Sequence, residues 1–238
     1  MYILAIETTG PLASAALADG EKLIGKVNDT QYSHLEQIVP MVRFLLAENG
    51  VQPSEIEAIA VSEGPGSFTG LRIGMATVKG LAQIWDKPVV SVPTLAAFAF
   101  GQYAWLDGEK KVLICPVFDA RRSQVYAAAY PYGSDDAVIA GGAYALEDYL
   151  SQLKQASVNY DEVVFFGDGS VAYKDALDAS PFAHSFAPEA DRFQLAVNVA
   201  RLGQKLFAAG KVCSCYDCEP NYMREAEAER KLREKNGG

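Results

Sequence analysis

Histidine is nearly missing: His34 and His184 are the only two in 238 residues. A helical metal site built on His34 needs a second ligand one turn on, and position 38 is Ile38. No metal site is expected. Ser33 beside His34 reads as a helix cap, because adjacent helical residues do not face one another. A peptidase therefore lacks its nucleophile–base pair. Basic excess is also missing: Lys and Arg number 21 against 30 Asp and Glu, a net charge of −9. That balance argues against unaided binding of RNA or DNA. No run approaches the length of a membrane span, and MYILAIETTG has no basic leader region, so the cytoplasm is the expected location, without membrane contact. The cysteines are few. Cys115 lies in an apolar run and reads as a buried thiol. Cys213, Cys215 and Cys218 cluster as C-S-C-Y-D-C, one ligand short of a closed zinc site. Free thiols are expected there, with adventitious metal or oxidation as the alternative.

What is present is organised around Gly64–Trp85, GPGSFTGLRIGMATVKGLAQIW. A glycine loop runs into a helical pattern in which Leu71, Met75, Val78, Leu81, Ala82 and Trp85 recur at helical spacing. Ser67 and Thr69 are both candidate N-caps. Gly70 and Gly74 fall on one helix face, where each glycine costs about 1 kcal/mol relative to alanine. Such a pair implies close approach of another backbone. Anion binding on the free N–H groups of the helix start is the alternative. The loop meets neither glycine dinucleotide fingerprint, and no G-x-x-x-x-G-K-[ST] occurs.

Taken in order, Tyr2–Thr8 reads as a buried strand. Leu12–Ala18 follows after a Gly10-Pro11 turn, and Lys22–Val27 after Asp19-Gly20, a strong hairpin signal. Ser33–Asn49 is the clearest helix, with a capping box from Ser33 and Glu36 and a closing Gly50. Its core stripe is Leu35, Ile38, Val39, Val42, Leu45 and Leu46. Met41 and Phe44 are apolar on a neighbouring face, so the helix should be covered on more than one side. Pro40 is expected to kink it. Ile56–Ser62 and Val89–Val92 are strands, and Thr94–Tyr103 reads as an alanine-rich helix. After a charged loop at Trp105–Lys111 the pattern partly repeats. Val112–Phe118 is a strand, Asp119-Ala120-Arg121-Arg122 its turn, and Gln124–Tyr130 and Ala137–Gly142 further strands. Leu146–Gln155 is a helix and Glu162–Phe166 a strand. Gly167-Asp168-Gly169-Ser170 is a second glycine turn, followed by helices at Ala172–Leu177 and Gln194–Ala209. An acidic turn after the first strand of each half points to a duplicated fold.

The motifs ILAIETT, SHLEQIVPMV, GPGSFTGLRIG, DARRSQVY and EPNYMR, spread over nearly the full length, resemble the bacterial TsaB (YeaZ) family. The resemblance implies an α/β protein with the duplicated actin-like, Hsp-seventy-like ATPase (ribonuclease H-like) fold: two lobes with mixed sheets. The lobes are expected over residues 1–106 and 107–220, with a charged tail over 221–238. It implies a non-catalytic subunit of the machinery that makes threonylcarbamoyladenosine beside the tRNA anticodon. Such a subunit pairs with TsaD, meets TsaE in a nucleotide-dependent way and reaches tRNA only through the complex. By motif, the partner interface falls on Leu35, Ile38, Met41, Val42 and Leu45 of the first helix. It continues on Gly70, Gly74, Thr77, Val78 and Leu81 of the second. Self-pairing to a homodimer is the other use of that face. No catalytic residue and no cofactor of its own are implied. An ATP or ADP site at a junction shared with partners stays open, with Glu7, Thr8, Thr9, Asp119, Arg121, Gly167 and Gly169 as candidate contacts. For Asp119 and Arg121 an internal ion pair is the simpler reading. The alternative from another class is an autonomous actin-fold ATPase or small-molecule kinase, with Glu7 or Asp119 holding Mg²⁺ or acting as base.

Overall fold

The computed structural model describes residues 2–20, 22–29 and 34–223. The first half builds a five-stranded sheet. Strands β1 (Tyr2–Glu7), β2 (Ala13–Asp19) and β3 (Lys22–Asp29) form an antiparallel ribbon, with Tyr2 opposite Asp19 and Glu7 opposite Ser14. Gly20, at φ +55°, turns the second hairpin, as Asp-Gly predicts. Helix α1 (His34–Glu48) leads to β4 (Ile56–Gly64), and α2 (Phe68–Trp85) leads to β5 (Val89–Pro93). Both strands lie parallel in the sheet, whose order is β3-β2-β1-β4-β5. Strand β1 is central and covered on both faces, which is why YILAIE reads as one apolar run without alternation.

A short helix α3 (Thr94–Ala97) and a 3₁₀ turn to Phe100 end the first half. The second half repeats the plan. Strands β6 (Val112–Asp119), β7 (Gln124–Pro131) and β8 (Ile139–Ala145) form the ribbon. Then come α4 (Leu146–Ala156), β9 (Glu162–Phe166), α5 (Gly169–Ala172), α6 (Lys174–Asp178) and β10 (His184–Phe186). The order β8-β7-β6-β9-β10 is that of the first sheet, element for element. This is the duplicated actin-like, ribonuclease H-like arrangement. The helices α7 (Glu189–Arg192) and α8 (Ala196–Ala208) follow.

Helix α8 packs against β1, β2, β4 and β5, so the chain returns to its first sheet after completing the second. Gly203 lets it approach closely: a methyl there would sit 2.8 Å from the Ala60 side chain. One apolar core lies between the sheets and includes Phe98, Phe118, Tyr103 and Phe166. A second fills the outer face of the first sheet beneath α1 and α2, and a third lies beneath α4. Residues 211–223 form a strap along the edge of the first sheet. Cys213 and Val89 exchange two backbone bonds of 2.9 Å, Asn221 donates its N–H to the Glu63 carbonyl at 2.7 Å, and the Tyr222 ring stacks on Phe68 at 4.5 Å.

Three expectations change. The helix foreseen over Thr94–Tyr103 stops at Phe100, and Tyr103 folds back so that its hydroxyl donates to the Phe98 carbonyl. The segment Ala172–Leu177 is two short helices broken at Tyr173. Strand β10, three residues long, had no sequence signal. Ser33 and residues 224–238 lie outside the described residues, and with them the cap at Ser33 and all of the expected tail but residues 221–223. Among the described residues no helix is long and apolar enough to cross a membrane.

Candidate functional site

The molecule offers two candidate places: the cleft between the sheets and the outer face of α1 and α2. The cleft has a volume of about 750 Å³ and is lined by Thr9, Gly66, Ser67, Asp119, Arg121, Asp168 and Gln194, among others. Its first wall is the β1–β2 turn. Glu7 lies beneath that turn, fully buried, its carboxyl oxygens accepting from the Ser62 hydroxyl and the Thr9 N–H. Burial pushes its pKa up, against those hydrogen bonds. The Thr8 hydroxyl donates to the Gly70 carbonyl at 2.8 Å, and the Thr9 carbonyl accepts from Ser67 N–H at 2.8 Å. The glycines of the organising stretch now have their reason. A methyl on Gly70 would overlap the Thr8 carbonyl, one on Gly74 the Thr8 hydroxyl, and one on Gly66 the Thr9 side chain. Ser67 caps the helix, its hydroxyl accepting from Gly70 N–H. The close backbone neighbour is the chain's own turn.

The second wall is the β6–β7 turn. One Asp119 oxygen accepts from the Arg121 N–H at 2.8 Å and the Tyr173 hydroxyl at 2.7 Å; the other lies 3.5 Å from the Arg121 guanidinium. The Asp119 N–H donates to Asp168 at 3.1 Å. Burial raises the Asp168 carboxyl, and the nearby Asp119 charge adds to it. Arg121, Arg122 and Ser123 all take left-handed backbone conformations, φ +66°, +57° and +57°. Such a run without glycine costs roughly 1–2 kcal/mol per residue and is held by surrounding bonds. Here the Ala120 N–H bonds the Gln124 carbonyl, and the Ser123 carbonyl accepts from Leu146. Gly167 and Gly169 press against the Val117 carbonyl, behind the cleft wall. Two carboxylates against one exposed guanidinium make the lining unfavourable to a phosphate without a cation. No cluster of three potential metal ligands occurs among the described residues.

Of the cleft candidates, the structure thus brings Thr9, Asp119 and Arg121 to the lining. It sinks Glu7 and Thr8 beneath the turn and puts Gly167 and Gly169 behind a strand. Asp168, Ser67 and Gln194 belong to the lining and were not among the expected residues. The Gly-Asp-Gly turn already marked the place of Asp168. Gln194, buried against Gly10, arrives from the far end of the chain and left no local signal.

The outer helical face corrects the expected interface. Ile38, Val42, Leu45 and Val78 are buried within the chain's own core, together with Leu4, Ile6 and Leu17 of the sheet, and Met41 is nearly so. Gly70 and Gly74 face Thr8, as above. These side chains therefore cannot form the contact surface itself, and the Leu35 side chain lies outside the described residues. What α1 leaves open is Val39, 42% exposed, with Pro40, Phe44 and Ala47 at i, i+4, i+7 spacing. Phe44 is 57% exposed. On α2 the outward row is Ile73, Thr77, Gly80 and Ile84, again at helical spacing, with Ile84 79% exposed. Within that row Ile73, Thr77 and Gly80 are half-buried, and Leu81 is half-buried beside it. A side chain on Gly80 would meet open space.

Comparison with known proteins decides the relationship. A family model described as "TsaD: tRNA N6-adenosine threonylcarbamoyltransferase" matches residues 28–232. The "tRNA threonylcarbamoyladenosine biosynthesis protein TsaB" of Bacillus subtilis is 33% identical over 97% of both chains. That of Escherichia coli is 31% identical over 98% of both. The chain belongs to the TsaB (YeaZ) family. The solved structure of "YeaZ from Pseudomonas aeruginosa" superposes with a TM-score of 0.73 at 28% identity, covering 93% of this chain and 99% of that one. The transferase of Thermomicrobium roseum, 32% identical, aligns over only 47% of this TsaB-family chain and 35% of its own length. Near full-length agreement with the TsaB proteins, against partial agreement with the transferase, sets the chain with the former.

Proposed function

We propose that this TsaB-family chain is a scaffold and activating subunit in tRNA threonylcarbamoyladenosine biosynthesis. It pairs with a TsaD-type threonylcarbamoyltransferase through the outward rows of α1 and α2, and meets a TsaE-type ATPase in a nucleotide-dependent way. The observation that carries this reading is the uncovered apolar surface: Val39, Phe44 and Ile84 stand exposed together on two neighbouring helices. Exposed apolar rows of this kind mark protein interaction surfaces. The net charge of −9 fits a chain that reaches tRNA only within a complex.

Sedimentation of the chain with its cognate TsaD tests this. A one-to-one complex is expected, burying at least about 1,000 Å². Phe44→Glu and Ile84→Glu should each weaken it at least about tenfold while leaving the unfolding temperature of the lone chain unchanged. Independent sedimentation of the two proteins, with nucleotide and TsaE also present, overturns the reading. Turnover of nucleotide by the chain alone has less support, because Asp119 is already engaged by Tyr173 and its own turn. Magnesium-dependent turnover that vanishes in Asp119→Asn with the fold intact would establish it.

A further inference from the structure

The thiols of the C-terminal strap are arranged as a pair. Ser214 begins a tight turn in which its carbonyl accepts from Asp217 and Cys218 N–H groups, both at 3.2 Å, and its hydroxyl donates to the Asp217 carboxylate at 2.7 Å. The turn brings position 218 back to position 213. The Ser91 hydroxyl on β5 lies 3.2 Å from the Cys218 sulfur and 3.9 Å from that of Cys213. The two thiols thus share one hydroxyl as their common neighbour. Cys218 is buried, its sulfur 3.1 Å from the Met75 sulfur of α2, whereas Cys213 is half-buried and its backbone is pinned to Val89. Cys215 sits in the turn between them. Cys115 lies in the other half of the molecule, enclosed, and is no part of the group.

We propose that Cys213 and Cys218 are a peroxide-oxidisable pair that closes reversibly to an intramolecular disulfide, with Cys215 left out. The more accessible sulfur reacts first. The Cys213 thiolate attacks one peroxide oxygen, the O–O bond breaks, and the departing hydroxide takes a proton as water, leaving a sulfenic acid. The Cys218 thiol then gives up its proton, its sulfur bonds to the sulfur of Cys213, and the sulfenic oxygen leaves as a second water. Two thiols and one hydrogen peroxide become one disulfide and two waters. Burial pushes the Cys218 thiol up to about 11, so it is the less reactive sulfur toward peroxide, and its part is to meet the sulfenic acid formed beside it. A reducing dithiol reverses the bond by exchange. A closed turn has fewer open conformers, so the strap leaves the edge of β5 less often.

The full chain is treated with hydrogen peroxide, free thiols are alkylated, and the protein is digested with a cut after Tyr216 that separates Cys218 from the other two. The two fragments should stay linked, at the mass of their sum less two hydrogens, and separate after dithiothreitol. Cys215→Ser should give the same link, and Cys213→Ser none. A Cys215–Cys218 link, a link between chains, or unlinked over-oxidised thiols overturns the pairing. Amide exchange at Val89 and Cys213 should slow on the order of tenfold on oxidation; unchanged exchange overturns the effect on the strap.

Discussion

The two halves of the molecule share a strand order but not the way they finish the turn after their first strand. In the first half that turn is closed by backbone. The start of α2 lies on Thr8 and Thr9, three glycines make the approach possible, and Glu7 is sealed below. In the second half the turn is completed by side chains. Asp119 holds its own turn and Tyr173, while the Arg121 side chain, 86% exposed, stands over an open cleft. The equivalent glycines, 167 and 169, press on the strand behind it. Duplication therefore preserved topology while the two turns diverged in chemistry. The first is a packing seam that tolerates little change; the second has side chains to vary.

The sharpest way to break this contrast is a single methyl group. Gly70→Ala places it on a backbone carbonyl that cannot move without the whole turn. The expected loss is about 3 kcal/mol or more, a fall in unfolding temperature of roughly 6–12 °C. Gly80→Ala, on the same helix but facing open space, should instead gain up to about 1 kcal/mol. Gly169→Ala, whose methyl would lie 2.8 Å from the Val117 carbonyl, should fall between them. Equal tolerance at positions 70 and 80 in thermal unfolding would sink the seam.

Next in size is the sealed acid. Burial raises Glu7 above its ordinary 4.5, so the folded state holds that proton more tightly than the unfolded chain does. Its contribution is fully present below the ordinary value. It is lost as pH rises from there through the folded pKa, by at most about 1.4 kcal/mol per pH unit. Glu7→Gln should flatten this decline. Urea unfolding at about pH 5 and about pH 8 measures it, and a slope unchanged in Glu7→Gln would show that Glu7 is not the group titrating.

Much of this was legible from the residues. Asp19-Gly20 announced the second hairpin, and the acidic turns at Glu7 and Asp119 announced the duplication. The glycines at 70 and 74 announced a close backbone, though not whose. The outer face was misread. Helical spacing already puts Ile38, Val42 and Leu45 in the core stripe of α1 and Phe44 on a neighbouring face, as the structure has them; the resemblance, which marks the helix by motif, does not say which of its sides stays open. Helix α8 shows the same limit over a longer range. Its amphipathic pattern calls for a sheet to cover, and only the fold reveals that it is the first. The three residues of β10 are too short to carry a period.

The smallest effect lies in the second turn. Arg122 has φ +57° in the middle of three left-handed residues, a conformation that glycine adopts without a Cβ penalty. Arg122→Gly removes that strain but loosens the unfolded chain, so the net gain should be only about 0.5–1 kcal/mol. Arg122→Ala keeps the strained backbone and should change little, which separates conformation from the loss of the guanidinium. Arg121→Gly adds the loss of the 3.5 Å contact with Asp119. So exposed a pair is worth little, and this variant should gain nearly as much. A loss of stability in Arg122→Gly, with Arg122→Ala equally affected, would mean that the side chain itself braces the turn. The second half would then be built like the first, as a seam in which each residue is required.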